Sequence, residues 1–166
     1  MRIRIYLAVV ASMLSACSAP PQDRPEGNAA AQPDALTAAD LDVGPILTAA
    51  EYAADPQFAA ADLDRGATLS LACIACHTLK PGEDHMLGPN LGHIFGAPAA
   101  SKSGFMYSAA LAESGLVWTP RALDAWLAAP SSFVPGTSMV FAGYGSPDER
   151  RDLIAYLLRA TEASGQ

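Results

Sequence analysis

Residues 73 to 77 read Cys73-Ile74-Ala75-Cys76-His77, and this CxxCH pattern is the one by which a chain attaches a c-type haem. In a helix, Cys76 and His77 follow Cys73 by three and four residues, so both sulfurs and the imidazole leave the same face of one turn. The thiols can then add to the two haem vinyl groups as thioethers, while His77 ligates the iron. The sequence therefore predicts one covalently bound haem c.

Two other uses of a CxxC pattern fit the rest of the sequence poorly. A zinc site needs four protein ligands, and His85 and His93 do not form a second pair at the spacing of a zinc finger. A thioredoxin-like site needs a strand before the motif and a reactive first cysteine, whereas residues 67 to 75 are rich in alanine and leucine and predict a helix. Haem attachment is the favoured interpretation.

Residues 1 to 16 have the plan of a secretory signal peptide. Two arginines precede an apolar run, residues 5 to 14, that is too short to span a bilayer comfortably, and small residues follow it. Residues 14 to 17, Leu-Ser-Ala-Cys, resemble the lipobox of bacterial lipoproteins, in which Cys17 becomes the lipidated first residue of the mature chain. We therefore expect a lipid-anchored protein on the periplasmic side of a bacterial membrane. A plain cleaved signal and an uncleaved helical anchor are the alternatives.

Composition divides the remaining chain into a linker and a domain. Residues 17 to 61 are dominated by Ala, Pro, Asp and Gln and lack the apolar side chains for a core, so they predict a flexible, partly extended linker. Residues 18 to 61 hold seven acidic residues and one basic residue, whereas residues 62 to 166 hold ten and seven. Residues 62 to 166 have the size of one small domain. No basic patch with interleaved aromatic residues supports nucleic-acid binding.

The signals in residues 62 to 166 are helical, and no run of alternating apolar and polar residues marks a sheet. Ser146-Pro147 with Glu149 predicts a helix start with a capping box, and Thr119-Pro120 predicts a second start. Loops rich in Gly and Pro, 78 to 103 and 130 to 145, are too long for a core of this size unless a large group fills the middle. The sequence therefore predicts an all-α domain built around a haem.

Residues 66 to 161 resemble class I cytochromes c of the mitochondrial and bacterial cytochrome c2 type. The motifs that carry the resemblance follow one another in the family order at 73–78, 88–91, 95–96, 104–105, 107–108, 118, 135–139, 141–143 and 152–157. The resemblance implies the small class I cytochrome c fold, with three main helices and long loops wrapped around one haem. It also implies an electron carrier and not an enzyme.

The resemblance places the second axial iron ligand at Met139, which follows the turn-forming run Pro-Gly-Thr at 135 to 137. Alone, a methionine in a loop more often fills a gap in a core, and His93 is the rival ligand for an iron with two histidines. Thioether ligation favours reduced iron. With both axial positions filled by protein, no position is open for oxygen or peroxide, which fits electron transfer.

Further residues around the haem take roles from the resemblance. Pro89 offers its carbonyl oxygen to the far nitrogen of the axial histidine, a bond that fixes the ring. Tyr107 and Trp118 hydrogen-bond a haem propionate, which needs such partners when it is buried. Thr137 bonds near the propionates or the ligand loop, and Phe141 closes the exposed haem edge. Each residue also has an ordinary structural use, as a turn residue or a core aromatic.

These features together predict a membrane-tethered monohaem electron carrier, which we expect to be monomeric. Its redox partners would be membrane complexes, a quinol-oxidising donor of the bc1 type and a terminal oxidase or similar acceptor. Two alternatives stay open: a fixed haem subunit of a larger redox complex, and a haem sensor or peroxidase-like protein that acts when Met139 dissociates. The mitochondrial type surrounds its haem edge with lysines, whereas this sequence offers only Lys80, Lys102 and Arg121.

Overall fold

The computed structural model describes residue 41 and residues 45 to 162, and this part of the chain is helical. Its helices are α1 (Ala49–Ala53), α2 (Pro56–Ala59), α3 (Leu63–Ile74), α4 (Ala109–Ala112), α5 (Pro120–Ala128), α6 (Pro130–Phe133) and α7 (Pro147–Ala160). The described residues form no strand, only an isolated bridge between Pro98 and Val117. The predicted all-α class is confirmed.

The two helix starts read from the sequence are present. The Thr119 side chain accepts a hydrogen bond from the backbone N–H of Ala122, so α5 begins with Pro120 at its first position. The Ser146 hydroxyl accepts from the N–H of Glu149 at 3.4 Å and caps α7. This bond is the only half of the predicted capping box found in the described structure.

Helices α3 and α7 cross at close range, and α5 packs against α7. The close approach depends on Gly66, because a Cβ atom there would collide with the carbonyl oxygen of Asp152 and lie 2.8 Å from the Cβ of Tyr156. On α7, Leu153 and Ile154 are fully buried in the resulting core. The C-terminal end of α3 carries residues 73 to 77, so this helix pair fixes the position of the haem-attachment motif.

Residues 45 to 61, which we call the N-terminal strap, differ from the extended linker expected for them. The strap forms α1 and α2, and both helices pack against α7. Thr48 and Glu51 form a complete capping box at the start of α1, and Asp55 caps α2 with Pro56 at its first position. Phe58 on α2 is only 6% exposed and belongs to the core. Burial of this side chain gives the strap a reason to fold.

Several predicted features lie outside the described residues. These are the signal peptide at 1 to 16, Cys17, and residues 18 to 40 of the predicted linker. Within the described part of the chain, no helix is both long enough and apolar enough to cross a membrane.

Candidate haem-attachment site

The CxxCH motif forms the last turn at the end of α3. The N–H groups of Cys76 and His77 donate to the carbonyl oxygen of Cys73 at 3.0 and 2.9 Å, so the helical hydrogen-bond pattern continues past Ile74. The three side chains that the motif needs therefore belong to one helical turn. Both cysteines are free and half-buried.

The first cysteine of the motif is not a reactive thiol in this protein. Burial raises the pKa of Cys73 to about 11, so its free thiol is protonated at neutral pH. Redox cysteines of the thioredoxin kind have lowered pKa values, because the thiolate is the nucleophile. The environment of Cys73 therefore does not favour the thioredoxin-like alternative.

The imidazole of His77 is held from two sides. Its Nδ1 lies 2.7 Å from the carbonyl oxygen of Pro89 and donates to it, since a carbonyl can only accept. Gly88 lies against the ring so closely that a Cβ atom there would collide with Cε1. Burial lowers the pKa of His77, and the hydrogen bond to Pro89 works in the opposite direction. The ring is therefore neutral, oriented, and protonated on Nδ1, which is the form of histidine that binds a metal through Nε2.

The loop that carries Pro89 is ordered by Asn90, a residue to which the sequence reasoning assigned no role. The Asn90 side chain is buried, and its amide donates to the Thr78 hydroxyl and the Lys80 carbonyl, both at 2.8 Å. Its oxygen accepts from the N–H of Gly92 at 3.0 Å. The signal was available in the Gly-Pro-Asn-Leu run, because asparagine often bonds neighbouring backbone groups in turns.

His85 ties the same loop to residues 103 to 105. Its Nδ1 accepts from the N–H of Asn90 and its Nε2 donates to the carbonyl of Ser103, both at 2.9 Å. The ring also lies edge-on to Phe105, with centroids 5.5 Å apart. Both ring nitrogens are therefore used within the protein, and the sequence analysis did not anticipate this role.

Met139 lies in the loop between α6 and α7. Gly136 adopts a φ of 92°, and the N–H of Met139 donates to the Thr137 hydroxyl at 3.3 Å, so the Pro-Gly-Thr run forms a defined turn before the methionine. Of the three methionines that the structure describes, Met139 alone packs against the core, whereas Met86 and Met106 are 50% and 91% exposed. No hydrogen bond joins this loop directly to His77. Its role as a ligand stays a prediction.

His93, the rival axial ligand, has a different set of partners. Its Nδ1 lies 3.0 Å from the Glu162 carboxylate, and its backbone N–H donates to the carbonyl of Thr161 at 2.8 Å. These bonds place His93 against the C-terminal end of α7. Its ring is the most exposed of the three histidines, which does not favour a role beneath a haem.

The predicted partners of the haem propionates lie on separate loops. Trp118 is buried with its ring edge-on to Trp126 at 5.3 Å, and its indole N–H donates to no residue in the described range. Tyr107 is half-buried, and burial raises its pKa, so the hydroxyl stays protonated and can donate. Phe141 packs on the core with its ring edge-on to Tyr144 at 5.2 Å. Their contacts with a haem remain predictions.

The residues present fit a covalent haem. Two free thiols share one turn, and Nε2 of His77 has no hydrogen-bond partner within residues 45 to 162. Leu87, next to the Gly88 contact, and Val140, next to Met139, are 84% and fully exposed, so apolar surface borders both predicted iron ligands. An apolar group bound there would cover side chains that otherwise face water.

The sequence is similar to proteins named cytochrome c from algae, plants and fungi. The protein of Chlamydomonas reinhardtii is 44% identical over 103 residues, which cover 61% of this chain and 92% of the relative. That of Sesamum indicum is 44% identical over 89 residues, 54% of this chain and 80% of the relative. That of Cochliobolus lunatus is 38% identical over 106 residues, 63% of this chain and 98% of the relative. No family model matches the chain.

Proposed function

This chain belongs to the cytochrome c family, and from that premise we propose that it is a membrane-tethered electron carrier between a quinol-oxidising complex of the bc1 type and a terminal oxidase or similar acceptor. Family membership makes it an electron-transfer haem protein with one covalently attached haem c. The observation that carries the proposal is the CxxCH turn beside a His77 ring fixed by Pro89.

In this proposal Cys73 and Cys76 hold the haem as thioethers, and His77 and Met139 are the axial ligands. The haem supplies a one-electron couple. The chain keeps His77 neutral and oriented through Pro89, and it keeps Met139 packed against the core through the Thr137 turn. With both axial positions taken by these side chains, we propose electron transfer and no catalysis.

The tether and the location are proposed from the sequence. Lipid on Cys17 would hold the protein at the periplasmic side of a bacterial membrane, close to membrane-bound partners. Mass spectrometry of the full-length protein tests this directly. We expect a mature chain that starts at Cys17 and carries acyl groups, with Cys17→Ser losing them. An unlipidated chain with the signal removed would contradict the anchor and leave the electron-transfer proposal standing.

The charges of the described domain bear on the kind of partner it fits. Three arginines are paired with carboxylates, and two further cations donate to backbone carbonyls: Arg65, Arg150 and Arg151, then Lys102 and Arg159. Lys80 and Arg121 remain as exposed cations in the described part. Because no ring of lysines is available for steering, we propose that partner binding depends only weakly on ionic strength.

The first experiment is the visible spectrum of the oxidised holoprotein. We expect the weak long-wavelength band of a sulfur-to-iron bond, lost in Met139→Ala and kept in Met106→Ala, since Met106 is exposed. A high-spin spectrum that shifts on adding cyanide would mean an open coordination position and would support the sensor or peroxidase-like alternative instead.

The partner proposal needs its own test. Purified bacterial bc1-type complex with a ubiquinol analogue should reduce the protein, and a haem–copper oxidase should reoxidise it, both in stopped-flow experiments at low and high salt. Failure of both reactions would contradict the carrier role. Copurification with one complex at fixed stoichiometry after detergent extraction would support the fixed-subunit alternative.

A further inference from the structure

The segment that follows Met139 is anchored at three consecutive residues, 143 to 145. Gly143 has a φ of 94° and lies against the end of α5, where a Cβ atom would collide with the carbonyl oxygen of Ala128. The N–H of Tyr144 donates to the carbonyl of Leu127 at 2.8 Å. The chain is therefore fixed only four residues after Met139.

Arg150 on α7 is a centre of this anchoring. Its side chain is 11% exposed, and its Nε donates to the Asp124 carboxylate at 2.7 Å. Its terminal nitrogen NH1 donates to the backbone carbonyls of Tyr144 and Gly145 at 2.9 and 3.0 Å. A buried guanidinium that bonds a carboxylate and two carbonyls has strong, directional hydrogen bonds. Arg150 therefore ties the segment after Met139 to both α5 and α7.

Tyr144 connects the same segment to the haem-attachment helix. Its hydroxyl donates to the carbonyl oxygen of Leu69 on α3 at 2.8 Å. Leu69 lies one turn before Cys73 on this helix. The Tyr144 ring also packs edge-on against Phe141, with centroids 5.2 Å apart. We call the contacts of residues 143 to 145 with Arg150 and Leu69 the loop clamp.

We propose that Arg150 and Tyr144 are positioning residues, which through the loop clamp set how firmly the Met139 thioether stays on the iron. The inference rests on the proposed function, in which Met139 is the axial ligand. A loop fixed at both ends has few conformations in which its ligand is displaced, because each freed backbone residue adds conformational entropy. Releasing residues 143 to 145 lengthens the mobile loop and raises the population of the state with Met139 displaced.

Imidazole titration of the oxidised full-length holoprotein measures that population. Added imidazole binds only when Met139 is displaced, so its apparent affinity rises in proportion to the displaced fraction. We expect Arg150→Gln to bind imidazole about tenfold more tightly than the unchanged protein, which corresponds to 1.4 kcal/mol. Because Arg150 is buried and this variant could fold poorly, Tyr144→Phe, which loses only the hydroxyl, is the second variant. It should bind imidazole about threefold more tightly.

Two control variants separate positioning from general stability. Asp148→Asn removes an exposed carboxylate paired with Arg151 on the same helix and touches no part of the loop. Asp152→Asn breaks a buried pair with Arg65 between α3 and α7, so it lowers global stability without touching the clamp. Both controls should bind imidazole as the unchanged protein does.

The outcomes distinguish the inference from the proposed function. If the unchanged protein lacks the long-wavelength band, Met139 is not the ligand and the proposed function itself fails. If the band is present and Tyr144→Phe folds but binds imidazole no more tightly than Asp148→Asn does, the clamp does not hold the ligand and the inference is overturned. Tighter binding in Asp152→Asn equal to that in Tyr144→Phe would likewise overturn it, because general destabilisation would then explain both.

Discussion

Gly66 and Asp152 meet where α3 crosses α7, and the Cα of Gly66 lies against the backbone carbonyl of Asp152 with no room for a side chain. Alanine is the better helix former by about 1 kcal/mol, so Gly66→Ala would stabilise an isolated helix. In this protein we expect the opposite, a net loss of about 2 kcal/mol, because the colliding atom is a helix carbonyl that cannot rotate away.

Urea unfolding of the holoprotein, followed by circular dichroism, measures this loss for Gly66→Ala. The matched control is Gly145→Ala, since a Cβ atom at Gly145 meets no atom within 4 Å. The control should change the free energy of unfolding by less than about 0.5 kcal/mol. A Gly66→Ala protein as stable as the unchanged one would show that the two helices can separate without cost.

Asp152 should make the stability of the domain depend on pH. Burial of its carboxylate acts to raise the pKa, but hydrogen bonds from Arg65 at 2.6 Å and Arg151 at 3.0 Å outweigh burial and hold the pKa below the ordinary value of 3.8. The folded state therefore favours the charged carboxylate. Its contribution is full above the ordinary value and is lost as the pH falls through the lower, folded pKa.

The measurement compares Asp152→Asn with the unchanged protein by urea unfolding at pH 7 and at pH 3. At pH 7 we expect the variant to be less stable by about 2 kcal/mol, because the arginines lose a charged partner. The difference should shrink at pH 3, since other carboxylates titrate equally in both proteins. A difference that stays constant or grows on acidification would contradict the lowered pKa of Asp152.

The sequence predicted the site better than it predicted the N-terminal strap, and the reason lies in how proline was interpreted. Thr119-Pro120 and Ser146-Pro147 were correctly interpreted as helix starts because apolar residues follow at helical spacing. Asp55-Pro56 carries the same cap and the same first-position proline, yet it was interpreted as an interruption. The helix there is four residues long, so no periodicity supported it, and the burial of Phe58 depends on α7, which is distant in sequence.

The contacts around His77 could be predicted only in part for a similar reason. The CxxCH motif and the Pro89 carbonyl lie close in sequence and follow from motif and resemblance. The bond between Tyr144 and Leu69 joins residues far apart along the chain, and nothing in either local sequence indicates it. Arg150 and Asp124 likewise lie on different helices, so only the packed structure brings their charges together.

Gly88 should be required for haem attachment, because its Cα lies against the His77 imidazole. In Gly88→Ala the added Cβ would push the ring away and break its bond to Pro89, which orients the iron ligand. We expect the yield of covalently loaded protein to fall about tenfold, as measured by haem staining after denaturing electrophoresis. Gly145→Ala is again the control and should load normally. An unchanged yield with an unchanged spectrum would mean that the ring does not depend on this contact.

Phe58 should make the N-terminal strap part of the cooperative unit. Its side chain is 6% exposed on α2, which packs against α7, so truncation leaves a cavity between them. We expect Phe58→Ala to lower the free energy of unfolding by about 3 kcal/mol. Its neighbour Gln57 is exposed, and Gln57→Ala should change stability by less than about 0.5 kcal/mol. Amide hydrogen exchange adds a second measurement. If residues 49 to 59 exchange as fast as an unfolded chain and Phe58→Ala costs nothing, the strap is a linker that contributes no stability to the domain.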